Sequence, residues 1–267
     1  MCIRDSPSIA KLFDLSGKSA LISGATGALG AAAARALSGA GAHVTIAGGN
    51  AEKLSEIAEE LKAGGAGVTM VEGRPSDEAA CDAMVAAACA EGRGLDILVP
   101  ASGTAAVKPA IEMDLETWDK VMDANVRQTW LLCRAAGKAM IDRGRGGAII
   151  PVSSVRARFA TPAGTSAYGP SKAAVDMITK SLATEWGQHD IRVNAIAPTV
   201  FRSELTAWLF EDNERANEAR KGVLSRIPLG RLAEPDDFAG VLIFLASPAS
   251  GLITGETINV DGGFSAN

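Results

Sequence analysis

KSALISGATGALGAAAARALS, residues 18–38, reads as a strand, a glycine turn and a helix in immediate succession. An apolar run enters a turn carrying Gly24, Gly27 and Gly30, and an alanine-rich stretch of high helix propensity follows to about Ser38. Glycines at such a turn let the backbone approach a pyrophosphate, and the helix behind them offers unpaired N–H groups to its charge. Strand, glycine turn and helix in that order is the context a dinucleotide fingerprint needs.

The alternation continues outward from this unit. Residues 43–47 predict a second strand, and Asn50 after Gly48-Gly49 caps a helix with Leu54, Ile57, Ala58 and Leu61 on one face. Strands follow at 68–71, 95–99, 147–152, 192–197 and 256–260, with helices at 77–90, 115–143, from Tyr168 through Trp186, and at 234–247. Repeated β-then-α at this spacing predicts one α/β domain, a Rossmann-like doubly wound parallel sheet of seven strands with helices on both faces. Ligands of such sheets bind beyond the carboxyl ends of the strands. The glycine turn, Ser102-Gly103 and Ser154 all follow strand ends and should converge on one edge. Residues 199–229, with Phe201, Trp208, Leu209 and Phe210, are too long for a plain connection and predict a substrate lid.

Bulk properties narrow the function classes. With 267 residues, 47% hydrophobic and 21% charged, the chain can bury a sizeable core in one domain. A net charge of -5 gives no attraction to nucleic acid or to an anionic membrane surface. No apolar run reaches the ~18 residues of a membrane span. The opening MCIRDSPS has no periodicity, so residues 1–10 are expected to be a disordered or non-native leader and 11–267 the domain. Cys2, Cys81, Cys89 and Cys133 form no Cys-x-x-Cys pair, and only His43 and His189 add imidazoles, so no metal site is expected. Cys81 and Cys89 are eight residues apart on one predicted helix, roughly 12 Å along its axis and too far for a disulfide. A reduced, cytoplasmic protein is the expectation.

The chemistry is concentrated in SSVRARFATPAGTSAYGPSK, residues 153–172. On a helix, Tyr168 and Lys172 stand on one face, one turn apart. A free phenol titrates near ~10, and an ammonium held beside it favours the phenolate, which proton exchange with a substrate alcohol requires. Ser154 can hydrogen-bond the same substrate oxygen.

With these pieces placed, the chain from about Leu15 onward resembles the short-chain dehydrogenase/reductase family. SGATGALG resembles its Thr-Gly-x-x-x-Gly-x-Gly turn; Asn125 in DANVRQTW, with Ser154, Tyr168 and Lys172, matches its catalytic tetrad. NAIAPTVFRSEL, RIPLGRLAEPDDFAGVLIFLAS and ITGETINVDGG resemble its later segments. The resemblance implies an NAD(P)-dependent oxidoreductase that interconverts a secondary alcohol and a ketone. Tyr168 would exchange the proton, Lys172 lower its pKa and hold the nicotinamide ribose, Ser154 polarise the carbonyl and Asn125 hold a relay water. It places the cofactor on Ser23, Gly24, Thr26, Gly27, Leu29 and Gly30, on Gly49, Asn50, Arg74, Ser102 and Gly103, on Pro198, Val200 and Ser203, and on Tyr168 and Lys172. It also implies a homotetramer.

Departures from the pattern lie on the adenosine side. Ser23 replaces the leading threonine, Ala28 a glycine whose freedom Gly27 partly restores, Pro100-Ala-Ser-Gly103 the usual Asn-Asn-Ala-Gly, and Arg74 an aspartate. Glycine at 48 and 49 gives neither the acidic signal for NAD nor the basic one for NADP. With Lys53 or Arg74 within reach of a 2′-phosphate, the expectation is NADP or NAD, leaning to NADP. Arg156, Arg158 and Arg202 near the cleft suggest a clamp for an acidic sugar or another hydroxy/keto acid, with Phe159 and Trp208 as further substrate contacts. The competing reading is a non-catalytic dinucleotide-binding sensor or scaffold, which the complete tetrad opposes. An epimerase or dehydratase of the longer related group would need an additional substrate domain.

Overall fold

Strands β1 (Ser19–Ser23), β2 (His43–Gly48), β3 (Val68–Glu72), β4 (Ile97–Pro100), β5 (Gly147–Ile149) and β6 (Ile191–Val193) form one parallel sheet in the order β3-β2-β1-β4-β5-β6. This arrangement is seen in a computed structural model that describes residues 8–266. The order reverses between β1 and β4, where Ser23 pairs in register with Pro100. A crevice opens beyond the strand ends at such a switch point, and the predicted site residues gather there.

Both faces of the sheet are covered. Helices α1 (Ile9–Leu12), α2 (Ala28–Gly39), α3 (Ala51–Ala63), α4 (Glu78–Cys89), α5 (Leu115–Met122), α6 (Gln128–Arg143), α7 (Tyr168–Trp186), α8 (Glu214–Leu224) and α9 (Ala239–Ala246) follow in chain order. Alternate strand residues point to opposite faces. Ala20, Ile22, Ile97 and Val99 pack with Leu29 and Leu37 of α2, Leu54 of α3 and Leu242 of α9. Leu21, Leu98 and Ile149 pack with Met84 of α4, Leu132 and Met140 of α6 and Leu182 of α7. Burial of β1 on both faces explains why it reads as a continuous apolar run rather than an alternating one. Asn50, Asp77 and Asp114 cap α3, α4 and α5 through their side chains, accepting from Lys53, Ala80 and Thr117 N–H at 2.7–2.9 Å.

The structure corrects several expectations. The predicted helix 115–143 is interrupted: α5 and α6 are joined by a π-helical turn, Asp123–Arg127, which carries Asn125. The predicted sixth strand is split at Asn194 into β6 and β7 (Ala195–Pro198). At the break the Asn194 side chain donates to the Ile253 carbonyl at 2.8 Å and accepts from Glu256 N–H at 3.0 Å. The seventh predicted strand, β8 (Thr257–Val260), pairs with β7 alone, so six strands and a pair replace seven, joined through the Val152–Ile196 bridge. The stretch 199–229 contains the short helix Glu204–Phe210 and α8. In the 234–247 stretch, a short turn of helix, Pro235–Phe238, precedes α9. Residues 1–7 of the expected leader lie outside the described residues, while Ile9–Leu12 form α1 with none of its residues buried. No helix among the described residues is long and apolar enough to cross a membrane.

Candidate active site

The glycine turn is tight because its backbone is in contact on two sides. Gly24 has φ +69°, and a Cβ there would lie 2.7 Å from the backbone nitrogen of Ser102. A Cβ on Gly30 would lie 2.2 Å from the Gly24 carbonyl oxygen. These two glycines let the turn pack against the β4 loop and the first turn of α2. Gly27 has φ -89°, an ordinary conformation, so it does not supply the freedom expected in place of Ala28. No side chain caps α2 at Gly27. The first turn of α2 instead borders a cleft of about 540 Å³, a setting suited to an anion such as a pyrophosphate.

Thr26, Gly27, Leu29, Gly30, Gly103, Pro198 and Ser203 line this cleft with Ser154, Tyr168 and Lys172. The expected cofactor side and the expected chemical side therefore share one cavity. Ser23, Gly24, Gly49, Asn50, Arg74, Ser102, Val200 and Asn125 stand behind or beyond its wall. Ser102 donates to the Ser23 hydroxyl at 3.1 Å, bracing the β1 and β4 ends together. Ser203 caps the helix Glu204–Phe210, its N–H donating to Thr206 Oγ1 at 3.0 Å.

Asn125 is fully buried. Its Oδ1 accepts from Thr104 N–H and its Nδ2 donates to Thr104 O, both at 2.8 Å, with a further bond from Nδ2 to Ser171 Oγ at 2.9 Å. The π-helical turn re-aims this side chain into the space between the β4 loop and α7, a common use of such turns. Gly103 is next to it, where a Cβ would lie 2.9 Å from Asn125 Oδ1 and 3.6 Å from Lys172 Nζ. Ser171 Oγ donates to the Tyr168 carbonyl at 2.7 Å, so Asn125 and the first turn of α7 are linked.

Tyr168 is the only tyrosine of the chain. It opens α7, one helical turn before Lys172. Burial pushes its phenol above the usual value, while the Ser154 hydroxyl and the Arg156 charge pull it down. The Lys172 ammonium is 5.8 Å from the phenol ring centroid and donates to the Val152 carbonyl at 2.8 Å. Burial lowers the lysine itself to about 8, with Asp176 opposing. Asp176 also accepts from Ser153 Oγ at 2.6 Å. Ser154 is buried, and its Oγ accepts from Arg156 N–H at 3.2 Å.

On the adenosine side, Gly49 lies under Arg74: a Cβ there would be 3.0 Å from Arg74 Nε. Lys53, the other candidate for a 2′-phosphate, is paired with Glu204 across the cleft mouth. Arg35, also on the cleft wall, is paired with Glu60 at 2.6 Å. Of the arginines expected to form a clamp, Arg158 meets Asp176 at 3.7 Å and Arg202 meets Glu234 at 3.2 Å. Trp208 stands exposed beneath Arg215 rather than in the cleft. Phe159 packs edge-on against buried Phe264 at 5.9 Å. Sequence reasoning missed Thr104, the Lys53–Glu204 pair, Arg226 and Phe264. Only Phe264 had a signal, its place directly after the Asp261-Gly-Gly263 turn.

Comparison with known proteins agrees with this geometry. Residues 24–265 match the family model described as enoyl-(acyl carrier protein) reductase. An uncharacterized oxidoreductase of Mycobacterium tuberculosis is 50% identical over 257 residues, 95% of this chain and 93% of that one. D-threitol dehydrogenase of Mycolicibacterium smegmatis is 38% identical over 254 residues, 94% of each chain. The solved structure of a gluconate 5-dehydrogenase from Burkholderia cenocepacia, in complex with NADP and tartrate, superimposes with a TM-score of 0.89 at 31% identity, covering 97% of this chain and 99% of that one.

Proposed function

The chain belongs to the short-chain dehydrogenase/reductase family and is an NAD(P)-dependent oxidoreductase acting on CH–OH groups; from that premise we propose that it interconverts a secondary alcohol and a ketone on a small polyhydroxylated substrate of the polyol or sugar-acid type. The observation that carries this reading is the convergence of Ser154, Tyr168 and Lys172 on the cleft that begins at the α2 N-terminus.

The cleft fits a dinucleotide: an uncapped helix N-terminus borders it, and Thr26, Gly27, Leu29 and Gly30 would hold the pyrophosphate. A nicotinamide bound in this cleft would supply the hydride chemistry. Tyr168 gives a proton to the substrate oxygen in reduction and takes it in oxidation. Ser154 donates a hydrogen bond to the same oxygen and holds it in place. Lys172 supplies positive charge behind the phenol, and its place on the cleft wall would let it hold the nicotinamide ribose. Asn125 fixes the Thr104 wall and, through Ser171, the first turn of α7; the relay water implied by resemblance would be held on this side of Lys172. Arg74 would favour NADP, as the one of the three cations Arg35, Lys53 and Arg74 that joins no ion pair among the described residues. Leu115, Trp118, Trp130 and Met177 are exposed on α5, α6 and α7, which supports assembly into a homotetramer, measurable by light scattering.

The test combines fluorescence titration with NADPH and NADH and absorbance assays on polyols, sugar acids and their keto forms. Turnover that disappears in Tyr168→Phe, with cofactor affinity retained, is the expected result. Tight cofactor binding without turnover across the panel would sink the proposal.

A further inference from the structure

Two guanidinium groups, one of which acts on Tyr168, share one aromatic ring and pair with no carboxylate among the described residues. Arg156 lies 5.5 Å and Arg226 4.1 Å from the Phe264 ring centroid. Phe264 is 2% exposed, and Phe159 braces it edge-on. The ring therefore cannot swing away, and it fixes where both cations stand. Among the described residues neither cation joins an ion pair, whereas Arg158 and Arg202 nearby each have an acidic partner. Arg156 Nη1 reaches only the carbonyls of Phe159 and Ala160, at 3.4 and 3.5 Å, at the long limit for a hydrogen bond.

Two half-buried like charges held together are a cost to the fold, and their proximity and burial bring the Arg156 pKa down. Stacking on one ring offsets part of that cost. An anion between them would offset the rest and would satisfy fork-shaped donors that the protein leaves free. The position matters as much as the charge. Arg156 is two residues after Ser154 and hydrogen-bonds its hydroxyl through the backbone, and the Arg156 charge is felt at Tyr168. An anion held here would stand beside the catalytic cleft, in the neighbouring cavity that Arg156 lines, within reach of a substrate whose oxygen meets Ser154.

We infer that Arg156 and Arg226, set against Phe264, form a carboxylate-binding subsite, and that the substrate is a hydroxy acid or its keto acid rather than a neutral polyol. This rests on the oxidoreductase reading above and narrows it. Two measurements separate the two ideas. The first compares kcat/KM for C4–C6 aldonates and their keto acids with that for alditols of equal carbon number. Arg156→Gln and Arg226→Gln should each lower the acid-to-alditol preference by about 10-fold or more, mainly through KM, as expected for loss of a charge-assisted hydrogen bond. Arg158→Gln, whose cation is paired with Asp176, should leave that preference unchanged. The second uses malonate, which carries carboxylates but no alcohol. It should raise the melting temperature of the wild type and of Arg158→Gln, and not that of the double variant Arg156→Gln/Arg226→Gln. If no substrate turns over but the malonate effect holds, the subsite stands and the catalytic reading falls. Equal losses for acids and alditols, a preference for sugar phosphates with the same arginine dependence, or malonate stabilisation that survives in the double variant would each overturn the carboxylate subsite.

Discussion

Lys172 donates its ammonium to the Val152 carbonyl at 2.8 Å, tying the cation of α7 to the chain just beyond β5. It is thus held by the backbone, not by an acid, and burial takes its pKa down to about 8 from a usual value of ~10.4. Below about 8 the folded protein carries this buried charge at full cost. Between about 8 and ~10.4 the folded lysine is neutral while the unfolded one still binds a proton, so stability rises with pH across that window. Relative to Lys172→Met, the wild type should gain about 2 kcal/mol between pH 8 and 10, read from paired urea titrations. The same substitution should remove the ionisation near pH 8 from the kcat/KM profile of any substrate that turns over.

The glycine turn should respond unevenly to alanine. At Gly30 the new methyl would meet the Gly24 carbonyl at 2.2 Å, and at Gly24 it would meet Ser102 N at 2.7 Å from a left-handed conformation. Both substitutions force backbone to move and should cost about 2–4 kcal/mol of stability with loss of cofactor binding. Gly27→Ala meets its nearest neighbour at 3.3 Å in an ordinary conformation and should cost under ~1 kcal/mol. Denaturant midpoints for the three variants give the ranking directly.

Arg74 is placed to set the cofactor preference. Its guanidinium side lies across Gly49 with no acid partner among the described residues, while Lys53 and Arg35 are occupied. Arg74→Ala should weaken NADPH binding by roughly 10- to 100-fold and alter NADH binding by less than about threefold. Fluorescence titration with the two cofactors checks this, and equal losses would remove Arg74 from the role.

The Lys53–Glu204 pair joins α3 to the helix Glu204–Phe210, and both residues line the cleft. Both side chains are substantially exposed, so Lys53→Met should shift stability by no more than ~1 kcal/mol. It should instead speed cofactor release, because the pair must part for a dinucleotide to leave between its two anchors. Stopped-flow release of NADPH, with higher salt mimicking the substitution, measures it.

The sheet, its helices and the placing of Tyr168 beside Lys172 were legible because each rests on local signals: apolar runs between turns, capping side chains, and a Tyr-x-x-x-Lys spacing that any helix places on one face. The π-helical turn at Asn125 was not, since five residues wound one way or the other have the same composition. Nor was the break at Asn194, which depends on partners at Ile253 and Glu256 far along the chain. The arginines proposed to face a substrate show the same limit. Arg156 and Arg202 look alike in sequence, and only packing shows that Glu234 occupies one while Phe264 and Arg226 surround the other.

A protein with one phenol carries its own titration dye. Because Tyr168 is the sole tyrosine, the ultraviolet difference spectrum that follows phenolate formation contains the proposed acid–base centre and no other phenol. The four tryptophans have no ionisation in that range, so they add background and no inflection. Ligand-induced movement of that inflection, in the wild type and in each variant above, is then an optical readout of how strongly cofactor, anion or neighbouring charge acts on the proton that the reaction moves.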